Sequence, residues 1–427
     1  MCNNHTEKTI KKYRIATDIL EAFWEPYKKH PERKLYLESK HYEAVHKIMA
    51  CRTQKLGYRM YGCESCGQVH YVYCSCKHRF CPTCGISATN EWAEKILHNV
   101  LNIKHHHVVI TLPAALRSLA KRNSVLFYNL MFDVSSDVLK SWFKMKHNIE
   151  AGIISVLHTS GADLKYHPHL HIIITGGGLN LENKEIKLLE GDYLMNCKGL
   201  KKRFRWAFQQ KLIKAYREGL LKVAQTIKNE IDFLVYIKDL NKQDWVISIQ
   251  NALKDAENIV RYVGRYTKRA CISEYKITNI EGEYISFYYN DYKNTPRGEK
   301  PKIAHIKLHY VAFLDRLLLH VPQKRFIAVR YYGIYAPQNW KNLPIEYKVN
   351  KAAISIKQEH LLDQGEDYRE YREATIKRTG IDPLICVECQ KMMVLLYEQL
   401  PTARQKGSYS RYRNLKITHK IDYADTG

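Results

Sequence analysis

The run Tyr166-His167-Pro168-His169-Leu170-His171 is the first feature of this sequence that could do chemistry. On a β-strand, residues two apart share a face. His169 and His171 would then present two imidazoles together while Leu170 points into a core. A sheet offers two nitrogen ligands to a divalent ion in this way. His158 lies near the end of the preceding β-type run, and in an antiparallel hairpin it could meet the pair as a third ligand. Taken alone, ordinary strand histidines would give the same pattern. The second feature is Arg261-Tyr262-Val263-Gly264-Arg265-Tyr266-Thr267-Lys268-Arg269. Tyr262 and Tyr266 are four apart, so on a helix their Cβ atoms sit about 6 Å from each other on one face. Arg261, Arg265, Lys268 and Arg269 surround them with charge that favours phosphate oxygens. Read alone, with 31 tyrosines in the chain, this is better taken as a tyrosine stripe packed on a sheet. The two features together describe one mechanism. A His-bound Mg²⁺ or Mn²⁺ polarises a phosphodiester, and a tyrosine hydroxyl attacks it to give a phosphotyrosine. Free tyrosine has a pKa of about 10, so the hydroxyl needs local positive charge or a base.

The cysteines point to a second kind of metal site. Of twelve in the chain, six fall between Cys63 and Cys84 as Cys63-x2-Cys66, Cys74-x-Cys76 and Cys81-x2-Cys84. Two CxxC knuckles at this separation suit tetrahedral Zn²⁺ in a closed, structural site. The first choice of ligands is Cys63, Cys66, Cys81 and Cys84, with Cys76 as a further candidate. Cys51, Cys74, Cys76 and His70 remain to replace one of these or to build a second site. Cys386-x2-Cys389 stands apart as a lone late knuckle.

These residues need elements to position them. Apolar spacing predicts helices in residues 1–60, around 88–101 and over roughly 114–146. Residues 153–159 and 169–175 read as an antiparallel hairpin closed by a turn at 160–166. Residues 197–230 read as a basic, aromatic helical insertion in which Lys201, Lys202, Arg203 and Arg205 alternate with Phe204, Trp206 and Phe208. That segment could track a single nucleic-acid strand or simply be an amphipathic helix. His105-His106-His107 precedes another β-type run. One of them, especially His107, could compete for metal, or they could stand at the start of the strand, near DNA or solvated. The 427 residues carry 68 Lys plus Arg against 43 Asp plus Glu, a net charge of +25. Such an excess favours a polyanionic partner, most simply nucleic acid. No apolar run is long enough to span a bilayer and no secretory leader is evident, so the expected location is cytoplasmic. No Gly-x4-Gly-Lys-Ser/Thr segment is found, and no nucleotide cofactor is expected.

In combination, His169-Leu170-His171 and Tyr262-x3-Tyr266 resemble the HUH motif and the paired tyrosines of two-tyrosine HUH transposases of rolling-circle insertion sequences, the insertion-sequence-91 type. Cys51-Arg52-Thr53, Leu56-Gly57 and the Cys63–Cys84 cluster resemble that family's N-terminal zinc-binding domain, and Tyr331-Tyr332-Gly333 and the late Cys386/Cys389 pair also have counterparts. The resemblance covers roughly residues 40–335. It implies an α+β fold with an HUH endonuclease core, a mostly antiparallel sheet with packed helices, preceded by a helical zinc-binding domain. The expected divisions are 1–100 (zinc cluster 51–84), 101–335 and a basic 336–427 with the lone CxxC. It implies a bacterial, DNA-associated enzyme that nicks and rejoins single-stranded DNA, with hairpin DNA at the element ends as partner. The spacing His158-x10-His169-x-His171 resembles the three-histidine site of relaxases. Phe80 departs from relatives that carry His before the second knuckle. A plasmid or phage replication initiator, or a relaxase, would share this chemistry. A non-catalytic zinc nucleic-acid-binding protein or a hydrolase using activated water would lack the tyrosine adduct.

Overall fold

A computed structural model describes residues 14–342 and 372–399, apart from 86–88, 90–91, 94–95, 98–99, 192–193, 251–259, 261–263, 265–269, 292–293, 297–298, 373–375 and 377–381. The elements that matter for the site are helices α1 (Ile15–Lys29), α2 (Ser39–Met49), α3 (Arg117–Arg122), α4 (Ser124–His147), α5 (Cys197–Arg217), α6 (Glu230–Asp239) and α7 (Tyr310–Leu318). The strands are β1 (Tyr58–Gly62), β2 (Val69–Tyr73), β3 (His105–Thr111), β4 (Ile149–Ser160), β5 (Tyr166–Asn180), β6 (Ile186–Leu188), β7 (Val246–Ile249), β8 (Ile277–Glu281), β9 (Tyr284–Asp291), β10 (Lys302–His309), β11 (Val329–Gly333) and β12 (Val394–Gln399). The fold is α+β, and every strand pair among the described residues is antiparallel.

The central sheet runs β11-β4-β5-β3-β7, with β6 added beside β5. Its middle strands are apolar on both faces, as expected for strands covered on both sides. On one face Ile153, Leu157, Leu170, Ile172, Ile174, Val108 and Ile110 enter the largest core. Helix α4 meets them with Phe127, Met131, Val134 and Phe143, and α5 with Leu200, Phe204, Phe208 and Leu212. The four-residue spacing in α5 makes one apolar stripe. Phe204 and Phe208 are therefore core residues packed against Trp245, and of the three expected stacking aromatics only Trp206 is exposed. Asn196 caps α5 by accepting from the Lys198 and Gly199 amides, and the helix ends at Arg217 rather than continuing to 230. Asn148, in the left-handed conformation (φ 55°), ends α4 and turns the chain into β4.

The opposite face of the same sheet carries Ile154, Val156 and Ile173, covered by Trp92, Ile96, Val260, Ile334 and Tyr335. The histidines expected at the start of β3 belong to the strand itself. His105, His106 and His107 are all buried, because both faces of the sheet are roofed, so the solvated reading does not hold.

A second core joins α1 and α2 to β8–β10 and α7, with Ile19, Trp24, Tyr27, Ile285, Phe287 and Phe313 inside it. Tyr27 donates to Asp315 at 2.8 Å, and the Ala16 amide donates to Glu274 at 2.9 Å. This core crosses the expected division at residue 100, since residues 272–321 share it with residues 16–84. A third sheet, β12-β1-β2, unites strands from the two ends of the chain. The late CxxC is thus not a lone knuckle: it sits beside the first one.

Candidate active site and metal clusters

The β4–β5 register sets His158 directly opposite His169 and Val156 opposite His171. The nitrogens of His158, His169 and His171 lie within 4.8 Å of one another. His169 and His171 approach Nε2 to Nε2 at 3.1 Å, and His158 Nδ1 is 3.3 Å from His169 Nε2. The outer ring nitrogens fix the tautomers. His169 Nδ1 is 2.7 Å from the His167 carbonyl, which only accepts, so Nδ1 carries the proton. His171 Nδ1 meets His107 Nε2 at 2.9 Å, and His107 Nδ1 meets Gln250 Oε1 at 3.0 Å. With the amide oxygen accepting, the donors run from His171 to His107 to Gln250. His158 Nε2 is held by the Ser160 hydroxyl at 3.3 Å. With the Ser160 hydroxyl accepting from His158 Nε2, three lone pairs face one centre. Burial, reinforced by the neighbouring imidazoles, holds His158 and His171 well below the ordinary histidine range. Burial also brings His169 to about 4. At neutral pH a proton does not relieve that crowding, whereas a divalent cation would, and imidazole nitrogens are good donors for one. His107 stands behind His171 as its hydrogen-bond partner rather than in the trio, an arrangement common behind metal-binding histidines.

Two further buried imidazoles brace this region. His105 donates to the Ile103 carbonyl at 2.8 Å and accepts from the Tyr335 hydroxyl at 2.7 Å. His320 donates to Leu164 O at 3.0 Å and accepts from Thr159 at 3.1 Å. Burial lowers both to about 4. With the folded pKa below the unfolded value of about 6.5, the unfolded chain takes up these protons first. Their contribution is complete above pH 6.5 and is lost as the pH falls toward 4, at most about 3 kcal/mol each. Melting temperature is therefore expected to drop on acidification from pH 7 to 5, and His320→Gln to flatten the drop; an unchanged melting temperature across that range would contradict this account.

The cysteines separate into two groups of four, and the expected set Cys63, Cys66, Cys81 and Cys84 is divided between them. Cys81 and Cys84 meet Cys51 and Cys76, while Cys63 and Cys66 meet Cys386 and Cys389. In the first group Cys51, Cys81 and Cys84 are buried at the edge of the second core. Cys51 and Cys84 are 3.4 Å apart, Cys76 and Cys84 3.7 Å, and Cys81 and Cys51 3.8 Å. Hydrogen bonds from Cys51, Cys76 and Cys81 hold the Cys84 thiol far below its usual range, while those with Cys51, Cys76 and Cys84 push Cys81 far up. Four thiols this close suit a thiolate-binding cation better than four protons. Cys76 thus belongs with the Cys81-x2-Cys84 knuckle, and Cys74 falls in neither group.

Tyr262 and Tyr266, with Arg261, Arg265, Lys268 and Arg269, lie outside the described residues. Their described neighbours Val260 and Gly264 are helical. Val260 packs in the core on the histidine-bearing face, and the Gly264 Cα faces the Trp92 ring so closely that a Cβ would come to 3.2 Å. On α5, Lys202 and Arg203 are exposed, Lys201 pairs with Asp244 at 3.3 Å, and Arg205 donates to the Asn241 carbonyl. Sequence reasoning missed a basic cleft of about 760 Å³ with His158 in its wall. Lys34, Lys40, Lys121, Arg122 and Lys222 line it, with Arg79 from the zinc module. Glu38 on its rim is neutralised by Lys40 at 3.1 Å. These cations are scattered over the sequence, so no local pattern signals them.

Comparison with known proteins identifies this assembly. Residues 152–342 match a family described as "Putative transposase", and residues 19–112 match the "Transposase zinc-binding domain". A curated relative from Sinorhizobium fredii, named "Putative transposase y4qJ", is 31% identical over 74% of this chain and 79% of its own length. The chain belongs to the insertion-sequence-91 type of transposases. The transposase for insertion sequence element IS801 of Pseudomonas savastanoi pv. phaseolicola is 29% identical over 82% of each chain. No solved structure matches. The transposase thus carries an N-terminal zinc-binding domain, and the cysteines that could serve it with structural zinc lie in clusters close enough to hold a metal ion. Membership implies DNA binding and a DNA endonuclease or strand-transfer activity. No helix among the described residues is long and apolar enough to cross a membrane.

Proposed function

We propose that this transposase nicks and rejoins single-stranded DNA at the ends of its element through a tyrosine–DNA intermediate, in rolling-circle transposition. The observation that carries the reading is the convergence of His158 Nδ1, His169 Nε2 and His171 Nε2 with their other nitrogens already engaged. A divalent cation there would polarise the scissile phosphodiester and offset its charge. The all-imidazole donor set favours Mn²⁺ over Mg²⁺, which prefers oxygen ligands. The tyrosines Tyr262 and Tyr266 are the nucleophiles in this reading. One phenol oxygen forms a bond to phosphorus, the P–O3′ bond breaks, and the departing 3′ oxygen leaves as a hydroxyl while the phenol proton passes to solvent. Helical packing of Val260 and Gly264 on the histidine-bearing face supports it. The basic cleft beside His158 suits the approaching phosphate backbone, because Lys34, Lys121, Arg122 and Lys222 contribute charge without a matching set of carboxylates. The exposed Lys202 and Arg203, with Lys201 and Arg205, would hold DNA farther from the trio.

The test is a covalent-adduct assay with Mn²⁺ and labelled single-stranded DNA drawn from the element's own flanks. Wild type is expected to give a denaturation-resistant adduct. Tyr262→Phe and Tyr266→Phe should each change its yield, and the double variant should abolish it. Cleavage without an adduct would replace this reading with metal-assisted hydrolysis, and an adduct persisting in the double variant would move the nucleophile elsewhere.

A further inference from the structure

Two hairpin tips far apart in sequence are built to one plan. At the first, between β1 and β2, the Gly67 amide donates to Cys63 O and the Cys63 amide to Gln68 O, both at 2.8 Å. At the second, the Gln390 amide donates to Cys386 O at 2.9 Å and the Cys386 amide to Lys391 O at 2.8 Å. The residue after each second cysteine is left-handed, Gly67 at φ 73° and Gln390 at φ 58°. Each tip is thus a CxxC knuckle with its two sulfurs turned the same way. The knuckles face each other: Cys63 Sγ is 3.2 Å from Cys389 Sγ, and Cys66 Sγ is 3.5 Å from Cys386 Sγ.

Strand pairing and one ion pair also connect the two knuckles. β1 pairs with β12 from Tyr58↔Gln399 to Gly62↔Val394, and Arg59 bonds Glu398 at 2.5 Å. The apolar cluster beneath is small, with Tyr61, Leu384 and Met393 as its buried side chains besides cysteines. A patch of that size needs a staple, because it buries too little to order two hairpins alone. Disulfides would require sulfurs at about 2.05 Å, and both cross-knuckle gaps are far wider. A tetrahedral tetrathiolate with Zn–S of about 2.3 Å has sulfurs roughly 3.8 Å apart, close to what is seen. Cys386 and Cys389 lie outside both matched family segments.

We infer that Cys63, Cys66, Cys386 and Cys389 bind a second structural Zn²⁺, which fastens residues 384–399 to the N-terminal module independently of the Cys51 cluster. The experiment is metal analysis of the full-length protein by atomic emission, paired with a thiol count in denaturant without reductant. Two zinc ions per chain are expected for wild type, and one for Cys386→Ser/Cys389→Ser. Cobalt substitution should show thiolate charge-transfer absorption that falls by about half in the variant. One zinc in wild type, or a thiol count short by four, would overturn the assignment. If the variant misfolds and loses both ions, the cobalt spectrum of the wild type still decides, because thiolate charge-transfer absorption of eight ligands per chain supports the site and that of four rejects it.

Discussion

His169→Ala is expected to lower strand nicking by a factor on the order of 10³ while leaving zinc content unchanged. Removing one preorganised contributor to transition-state charge stabilisation costs roughly 10²–10³ in rate. Loss of His169 removes the central member of the trio, the one 3.1 Å from His171 and 3.3 Å from His158. Direct Mn²⁺ binding, read by electron paramagnetic resonance, should weaken in parallel. The zinc count is the control that separates the two kinds of site. A variant that loses zinc would show that the histidine centre and the cysteine clusters are structurally inseparable. One that nicks at the wild-type rate would remove His169 from the mechanism.

Cys84→Ser is expected to destabilise the N-terminal module by about 5 kcal/mol, or roughly 10–20 °C in melting temperature. Structural zinc contributes on the order of 10 kcal/mol to small modules, comparable with the whole stability of a typical domain. The damage should not stay local. Leu164, in the turn between β4 and β5, is buried in the same core as Cys81 and Cys84. Its backbone is left-handed at φ 63°, a conformation costly for a leucine and sustained by its surroundings. The turn of the hairpin that carries His158 and His169 therefore shares a core with the zinc module. Amide hydrogen exchange should show loss of protection in α1, α2 and the 161–165 turn together. Protection unchanged in that turn would show that the two regions open independently.

The parts of this molecule that were legible in sequence are those whose geometry is local. His169-Leu170-His171 follows from the two-residue period of a strand, and His158 reaches it across one short hairpin. The cysteine partition was not legible, because a CxxC spacing names pairs but not which pairs meet. That choice is made by the β1–β12 register, between residues more than 330 positions apart. The β3 histidines were misjudged for a related reason: a strand roofed on both faces can bury polar rings that find partners, as His105 does with Tyr335. In α5 the aromatic residues and the charges alternate in sequence but part company in space, Phe204 and Phe208 inward and Lys202 and Arg203 outward. The cleft cations gave no signal because Lys34, Arg79, Lys121 and Lys222 come from four separate segments.

The β1–β12 pairing also sets a timetable for synthesis. Arg59 emerges from the ribosome 339 residues before its partner Glu398. At 5–20 residues per second that is a delay of roughly 17–70 s. The central sheet has all its described strands once residue 333 is made, so the zinc module is begun before that sheet and completed after it. During that interval β1 exposes an unpaired edge, a hazard for association between nascent chains. A copy of the gene truncated before residue 386 would leave that edge open for the life of the protein.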